Sequence, residues 1–293
     1  MTAAGSSCPR GPVDQLVRQR QPTAWPVARV AEASGQLLAA AFTFLGEMMP
    51  RSAADSGRFA SPANFADNCA MKEADAAALR LQRSDFAAIR EQLPPLHHAI
   101  LKLLSRQDLF TCGRHLGLLR KKTFVFDNEA ESTILADYQV YSYRPRGFNT
   151  AELYLRLNRE RLAPLPLALL ECMSAALYTI FRIESFEENG VHISDLLLGT
   201  RTLLLDRNLA RYGVAGQGIA AHLLTFDDFA LQSGGMLPVD ADLLGNDPAS
   251  VRICAAMEED STRKTDPAMR AKLARAVVAA AIRHGYTRRI LYR

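Results

Sequence analysis

The chain has 293 residues, 48% of them hydrophobic and 23% charged, which is enough apolar content for a sizeable core and argues against overall disorder. Its five cysteines (Cys8, Cys69, Cys112, Cys172 and Cys254) are odd in number and never form a Cys-x-x-Cys pair, which speaks against a disulfide framework and fits reduced thiols in the cytoplasm. No basic start followed by an apolar run marks a secretory leader, and the most apolar early segment, between Glu32 and Glu47, falls short of the ~20 residues a membrane span needs.

The net charge of +4 conceals a segregation. Residues 262–293 carry nine Lys or Arg against one acid, Asp266, so the tail is +8 and the remainder, with 26 basic and 30 acidic residues, is −4. A basic end of this kind offers a surface to phosphate or to acidic protein.

Residues 1–93 read as an Ala- and Pro-rich leading region. A helix is expected after Pro26, with Val27, Val30, Ser34, Leu37, Leu38, Ala41, Leu45 and Met48 on one stripe and Pro50 as its end. A second helix is expected from about Ala70 to Gln92, closed off by Pro94 and Pro95.

A helical domain follows over 94–176. Its first stretch places Ile100, Leu101, Leu104, Leu109, Leu116 and Leu119 in the core, with a break around Ser105 to Asp108, and a short strand is expected at Thr123 to Phe126. Asn128 caps the next helix, Glu131 completes a capping box, and Ile134, Leu135, Tyr138 and Tyr141 form the buried side. After the Arg144 to Gly147 turn, helices are expected at Thr150 to Leu162 and Pro164 to Leu177.

The period then changes from helical to alternating, with Tyr178, Ile180, Arg182, Glu184 and Phe186 opposed to Thr179, Phe181, Ile183 and Ser185. Asn189-Gly190 signals a hairpin, and strands are expected at Val191 to Leu197, Thr202 to Asp206, Ile219 to Phe226 and Phe229 to Gln232. About five short strands within 177–239 suit a small SH3-like or OB-like barrel. Residues 240–293 read as a linker and a basic C-terminal helix opened by Pro267, which makes the fold class α+β.

Gly113-Arg114-His115-Leu116-Gly117, Lys122 to Asp127, Phe181-Arg182-Ile183-Glu184, Asp195-Leu196-Leu197 and Ser233-Gly234-Gly235 resemble segments of uncharacterised bacterial proteins in which a helical part precedes a small SH3-like barrel. Some of those proteins carry a Cys-rich SEC-C metal motif nearby. This chain has no such cysteine cluster, so the resemblance implies architecture and no activity or bound zinc.

Three groups of residues bear on function. Asp127, Glu129, Glu131 and Asp137 could bind a divalent metal for phosphodiester hydrolysis, although acids at a helix start also answer the backbone donors and dipole there. Cys112 and His115 have the spacing of two zinc ligands, with His97 and His98 as conceivable partners, and a buried thiol beside a hydrogen-bonded histidine is the simpler account. Arg270, Lys272, Arg275, Arg283, Arg288, Arg289 and Arg293 could contact the phosphates of a nucleic acid, although surface helices carry such charges ordinarily. Walker A, His-Glu-x-x-His and Gly-x-Ser-x-Gly are absent, the Gly213 to Gly218 loop fits a barrel turn, and His192 and His222 fall in strands. The expectation is a noncatalytic binding or adaptor protein with a protein partner and no cofactor. Nucleic-acid association through the basic tail is the second reading and metal-dependent hydrolysis the third.

Overall fold

The computed structural model describes residues 80–292 and the strand Ala28–Val30. Most of the expected early helix lies outside the described residues. Its first turn is instead strand β1 (Ala28–Val30), paired in parallel with the end of the chain at Ile290–Tyr292.

Helix α1 (Phe86–Leu101) runs straight through Pro94 and Pro95, where the sequence predicted a break. Each proline removes one backbone donor and so frees a carbonyl one turn earlier. Glu91 and Pro95 are exposed, whereas Ile89, Leu93, Leu96, Ile100 and Leu101 hold one continuous buried stripe. Burial of that stripe outweighs the lost hydrogen bonds. Helix α2 (Arg106–Leu116) starts at Ser105, whose hydroxyl accepts from the Asp108 amide while Asp108 answers the Ser105 amide.

Strands β2 (Leu119–Arg120) and β3 (Thr123–Phe124) form a minimal hairpin. Its two turn residues, Lys121 and Lys122, both have positive φ, 48° and 68°, a conformation that favours Asn and Gly. Replacing them together by Asn and Gly is expected to stabilise the fold by about 1 kcal/mol. A rise in the urea midpoint with an unchanged slope would show this; an unchanged midpoint would mean that the turn stores no strain.

Helix α3 (Glu129–Asp137) continues into a π-helical turn, Tyr138–Ser142, closed by a 2.8 Å bond from the Tyr143 amide to the Tyr138 carbonyl. All five residues of that turn are buried, in contact with α1, α2 and α3. Helices α4 (Thr150–Asn158) and α5 (Pro164–Ala175) follow as expected.

The β region is a closed five-stranded barrel. Strand β4 (Leu177–Glu187) pairs with β5 (Gly190–Asp195), β5 with β6 (Arg201–Leu204), and β6 with β8 (Ala230–Gln232) through the parallel pair Leu204 and Ala230. Strand β7 (Gly218–Thr225) pairs with β8 and returns to β4, which closes the ring. Closure leaves no long open edge. A further strand, β9 (Leu237–Val239), pairs with the first half of β7.

The expected linker is in fact ordered: β9 leads to α7 (Ala241–Asn246) and α8 (Pro248–Glu259). A one-turn helix α6 (Arg207–Tyr212), between β6 and β7, was also not anticipated. The last helix, α9 (Pro267–Arg283), packs against β4, the π turn, α2 and α8. Because helices cover the barrel from outside, Tyr178, Thr179, Ile180 and Phe181 are all buried and the expected alternation survives only from Arg182 to Glu184. A register shift follows Ile183, and Phe186 is 43% exposed. One buried apolar cluster extends from Leu81 to Ile290.

Candidate functional site

Two features concentrate the polar groups. The first is a buried clasp between the π turn and the barrel. The π turn directs Asp137 and Ser142 toward β7, where His222 offers both ring nitrogens. His222 Nδ1 lies 2.6 Å from Asp137 Oδ2, and Ser142 Oγ lies 2.6 Å from His222 Nε2. The other carboxylate oxygen, Oδ1, accepts from the Ser233 hydroxyl. A carboxylate only accepts, so Nδ1 carries a proton; in the neutral imidazole Nε2 then accepts from Ser142.

Aromatic rings close this network. Tyr141 stacks on His222 at 5.2 Å, Tyr178 meets it edge-on at 4.9 Å, and the Tyr141 hydroxyl lies 2.6 Å from His97 Nε2. The loop after β8 fits closely against Asp137: a Cβ at Gly235 would lie 2.7 Å from Asp137 Cβ, so glycine is required there.

The Ser142–His222–Asp137 connectivity is that of nucleophile, base and orienting acid in serine hydrolases. Here Ser142 is 4% exposed, and His222 and Asp137 are still less so. None of the three lines either half of the groove described next. A nucleophile must meet its substrate, and this hydroxyl is spent on holding helix to barrel.

The second feature is an open groove between α2 and α9, with two halves of about 450 Å³ and about 400 Å³ that share His115, Ala279 and Arg283. The β2–β3 hairpin and α8 complete its walls. Arg114, Arg120, Lys272 and Arg275 line it, all exposed, and none forms an ion pair among the described residues. The acids that reach it are already engaged. Asp247 lies 3.6 Å from Arg283, Asp127 is held at 2.8 Å by Arg288, and Glu131 accepts from Thr287 and from the Asp127 amide, at 2.8 Å each. His115 lies at the junction of the halves, its Nδ1 3.0 Å from the Tyr138 hydroxyl. Burial, with Arg275 and Arg114 nearby, lowers its pKa below the ordinary histidine value.

The residues predicted to bear function are scattered by this arrangement. Asp127 and Glu129 are exposed at the start of α3, Glu131 is buried in its capping network, and Asp137 belongs to the clasp. Among the described residues no group of three or more His, Cys, Asp or Glu side chains is placed to hold a metal ion. Cys112 is fully buried, and burial pushes its thiol far above the usual range, while His97 and His98 lie on α1 with His97 bonded to Tyr141. Of the basic set, Lys272, Arg275 and Arg283 reach the groove.

Arg270 does not reach the surface. It is 1% exposed, and its Nη1 donates to the Tyr178 carbonyl at 3.0 Å and to Thr179 Oγ1 at 3.1 Å, with Nε donating to the Lys264 carbonyl. Three, four and seven residues on, Leu273, Ala274 and Val277 share its inner face, which is why the helix turns it inward. Arg288 and Arg289 pair with Asp127 and Asp240, and Arg293 lies outside the described residues. Of the two strand histidines, His192 is exposed and bonded to Glu187, while His222 is buried. Sequence reasoning missed Arg114, Arg120 and Ser142 as site residues; Arg114 entered only through the Gly113 to Gly117 resemblance, which implies no role, and no motif marks the other two.

By fold and site this is an α+β protein in which a helical layer is clasped to a closed five-stranded barrel and bears a cationic groove. The chain belongs to a family of unknown function (DUF7986), whose model matches residues 81–242, more than half of its length. No curated protein and no solved structure matches it. The clasp lies wholly within the matched residues, whereas α8 and α9, which form one wall of the groove, lie beyond them. Among the described residues no helix is long and apolar enough to cross a membrane.

Proposed function

We propose that this chain is a noncatalytic binding protein whose binding surface is the groove between α2 and α9, and that its partner is anionic. The supporting observation is the convergence of Arg114, Arg120, Lys272 and Arg275, which form no ion pairs among the described residues, while the acids nearby are already satisfied. Like charges held together on a folded surface repel one another, and a ligand of opposite sign relieves that cost. Nucleic-acid association, the second reading, keeps support from Lys272, Arg275 and Arg283 but loses Arg270 to the core. Metal-dependent hydrolysis loses its support, because Asp127, Glu131 and Asp137 are engaged in separate contacts and Glu129 is exposed at the start of α3.

The reading is tested with poly-glutamate and oligo-dT as polyanion probes. At least one should bind, with an affinity that falls as salt rises from roughly 50 to 200 mM. Reversing both Arg114 and Arg275 to Glu should weaken it about tenfold or more while leaving the thermal melt in place, since both side chains are exposed. If neither probe binds, or if binding ignores the reversal, the groove is not the binding surface.

A further inference from the structure

We infer that the occupant of this groove is an acidic amphipathic segment of a protein partner, a conclusion that rests on the binding role proposed above. The cations are exposed, and less exposed aliphatic side chains line the groove beside them: Leu118, Val125 and Ile282 in the half with Arg114 and Arg120, Ile253 and Ala276 in the half with Lys272 and Arg275. No Phe, Tyr or Trp among the described residues lines either half. Single-stranded nucleic acid is usually held by aromatic platforms alternating with cations, and neither its sugars nor its phosphates gain from an aliphatic lining.

A peptide with apolar residues on one face and carboxylates on its flanks matches both parts. Its apolar face would lie over Val125, Ile282 and Ile253, and its carboxylates would meet Arg114 and Arg120 in one half and Lys272 and Arg275 in the other. His115 adds a polar atom at the centre without adding charge at neutral pH, because its pKa lies below the ordinary value. Electrostatic matching of this kind selects acidic segments over neutral ones of the same shape.

The experiment uses the full chain and three labelled probes, read by fluorescence anisotropy. One is a helix-forming peptide with Leu at every third or fourth position and Glu on the flanking positions; the second replaces its Leu by Ser; the third is oligo-dT. The Leu/Glu peptide is expected to bind about tenfold tighter than either of the others, and Lys272→Glu, at an exposed position, should weaken it several-fold. If oligo-dT binds tightest and Arg275→Glu weakens it, the groove is a binding surface but its occupant is a nucleic acid, which overturns this inference alone. Equal binding of the Ser and Leu peptides would overturn it as well, because the aliphatic lining would then contribute nothing. If no probe binds, the binding role falls with it.

Discussion

Replacing Asp137 by Ala is expected to lower stability by about 3–5 kcal/mol, the loss seen when one partner of a buried charged network is removed. The carboxylate is 3% exposed and accepts from His222 Nδ1 and the Ser233 hydroxyl. Alanine leaves both donors in a buried interface without this acceptor and opens a void beneath Gly235. Asp137→Asn should cost less, about 1–2 kcal/mol, since an amide keeps the shape, can accept from His222 and can donate to Ser233. Urea unfolding of the three proteins gives the ranking. A loss below about 1 kcal/mol for the alanine variant would mean that the clasp does not hold helix to barrel.

Acidification should destabilise the fold through His97. Burial lowers its pKa from 6.5 to about 4, with the negative charge of Asp137 acting in the opposite direction. Above pH 6.5 the imidazole is neutral in both folded and unfolded chains, so its buried position carries no protonation penalty. Between 6.5 and about 4 the unfolded chain takes up a proton that the folded chain refuses, so stability falls as the pH drops through that window. The gap corresponds to roughly 3 kcal/mol once the pH is below about 4. His97→Phe removes the titration and leaves the Tyr141 hydroxyl without this partner, so it should lower stability at neutral pH and flatten the curve between pH 4 and 6.5, narrowing the deficit as the pH falls. An unchanged slope in the variant would assign the acid sensitivity to other groups.

Much of the secondary structure could be read from local pattern. Asn128, Pro164 and Pro267 mark helix starts because a cap or a fixed φ acts within one turn. The strands from Leu177 to Gln232, separated by Asn189-Gly190 and the Gly199 turn, follow from alternation and turn chemistry, and five of them on a short chain imply closure. The same local rules misread Pro94-Pro95, where tertiary burial of one helical stripe outweighs the missing donors. They also misread the segment after Pro238, where Asp240 and Asp247 cap short helices that a Pro-containing stretch conceals.

The candidate site was less legible. Lys272 and Arg275 could be assigned to an outward face by their spacing on α9, but Arg114 and Arg120, the cations opposite, are more than 140 positions away in the chain. No period links residues so far apart; only the packing of α9 against α2 brings them together. Arg270 shows the reverse case, a charge counted with the basic face whose register with Leu273, Ala274 and Val277 turns it into the core. The sequence alone determined an α+β chain with a closed barrel and a basic C-terminal helix, because caps, turns and hydrophobic periods act over a few residues. Tertiary structure decided which charges are spent on internal pairs, which hydroxyl and histidine form the clasp, and where unpaired cations meet, because each depends on contacts between segments about 80 to 160 residues apart.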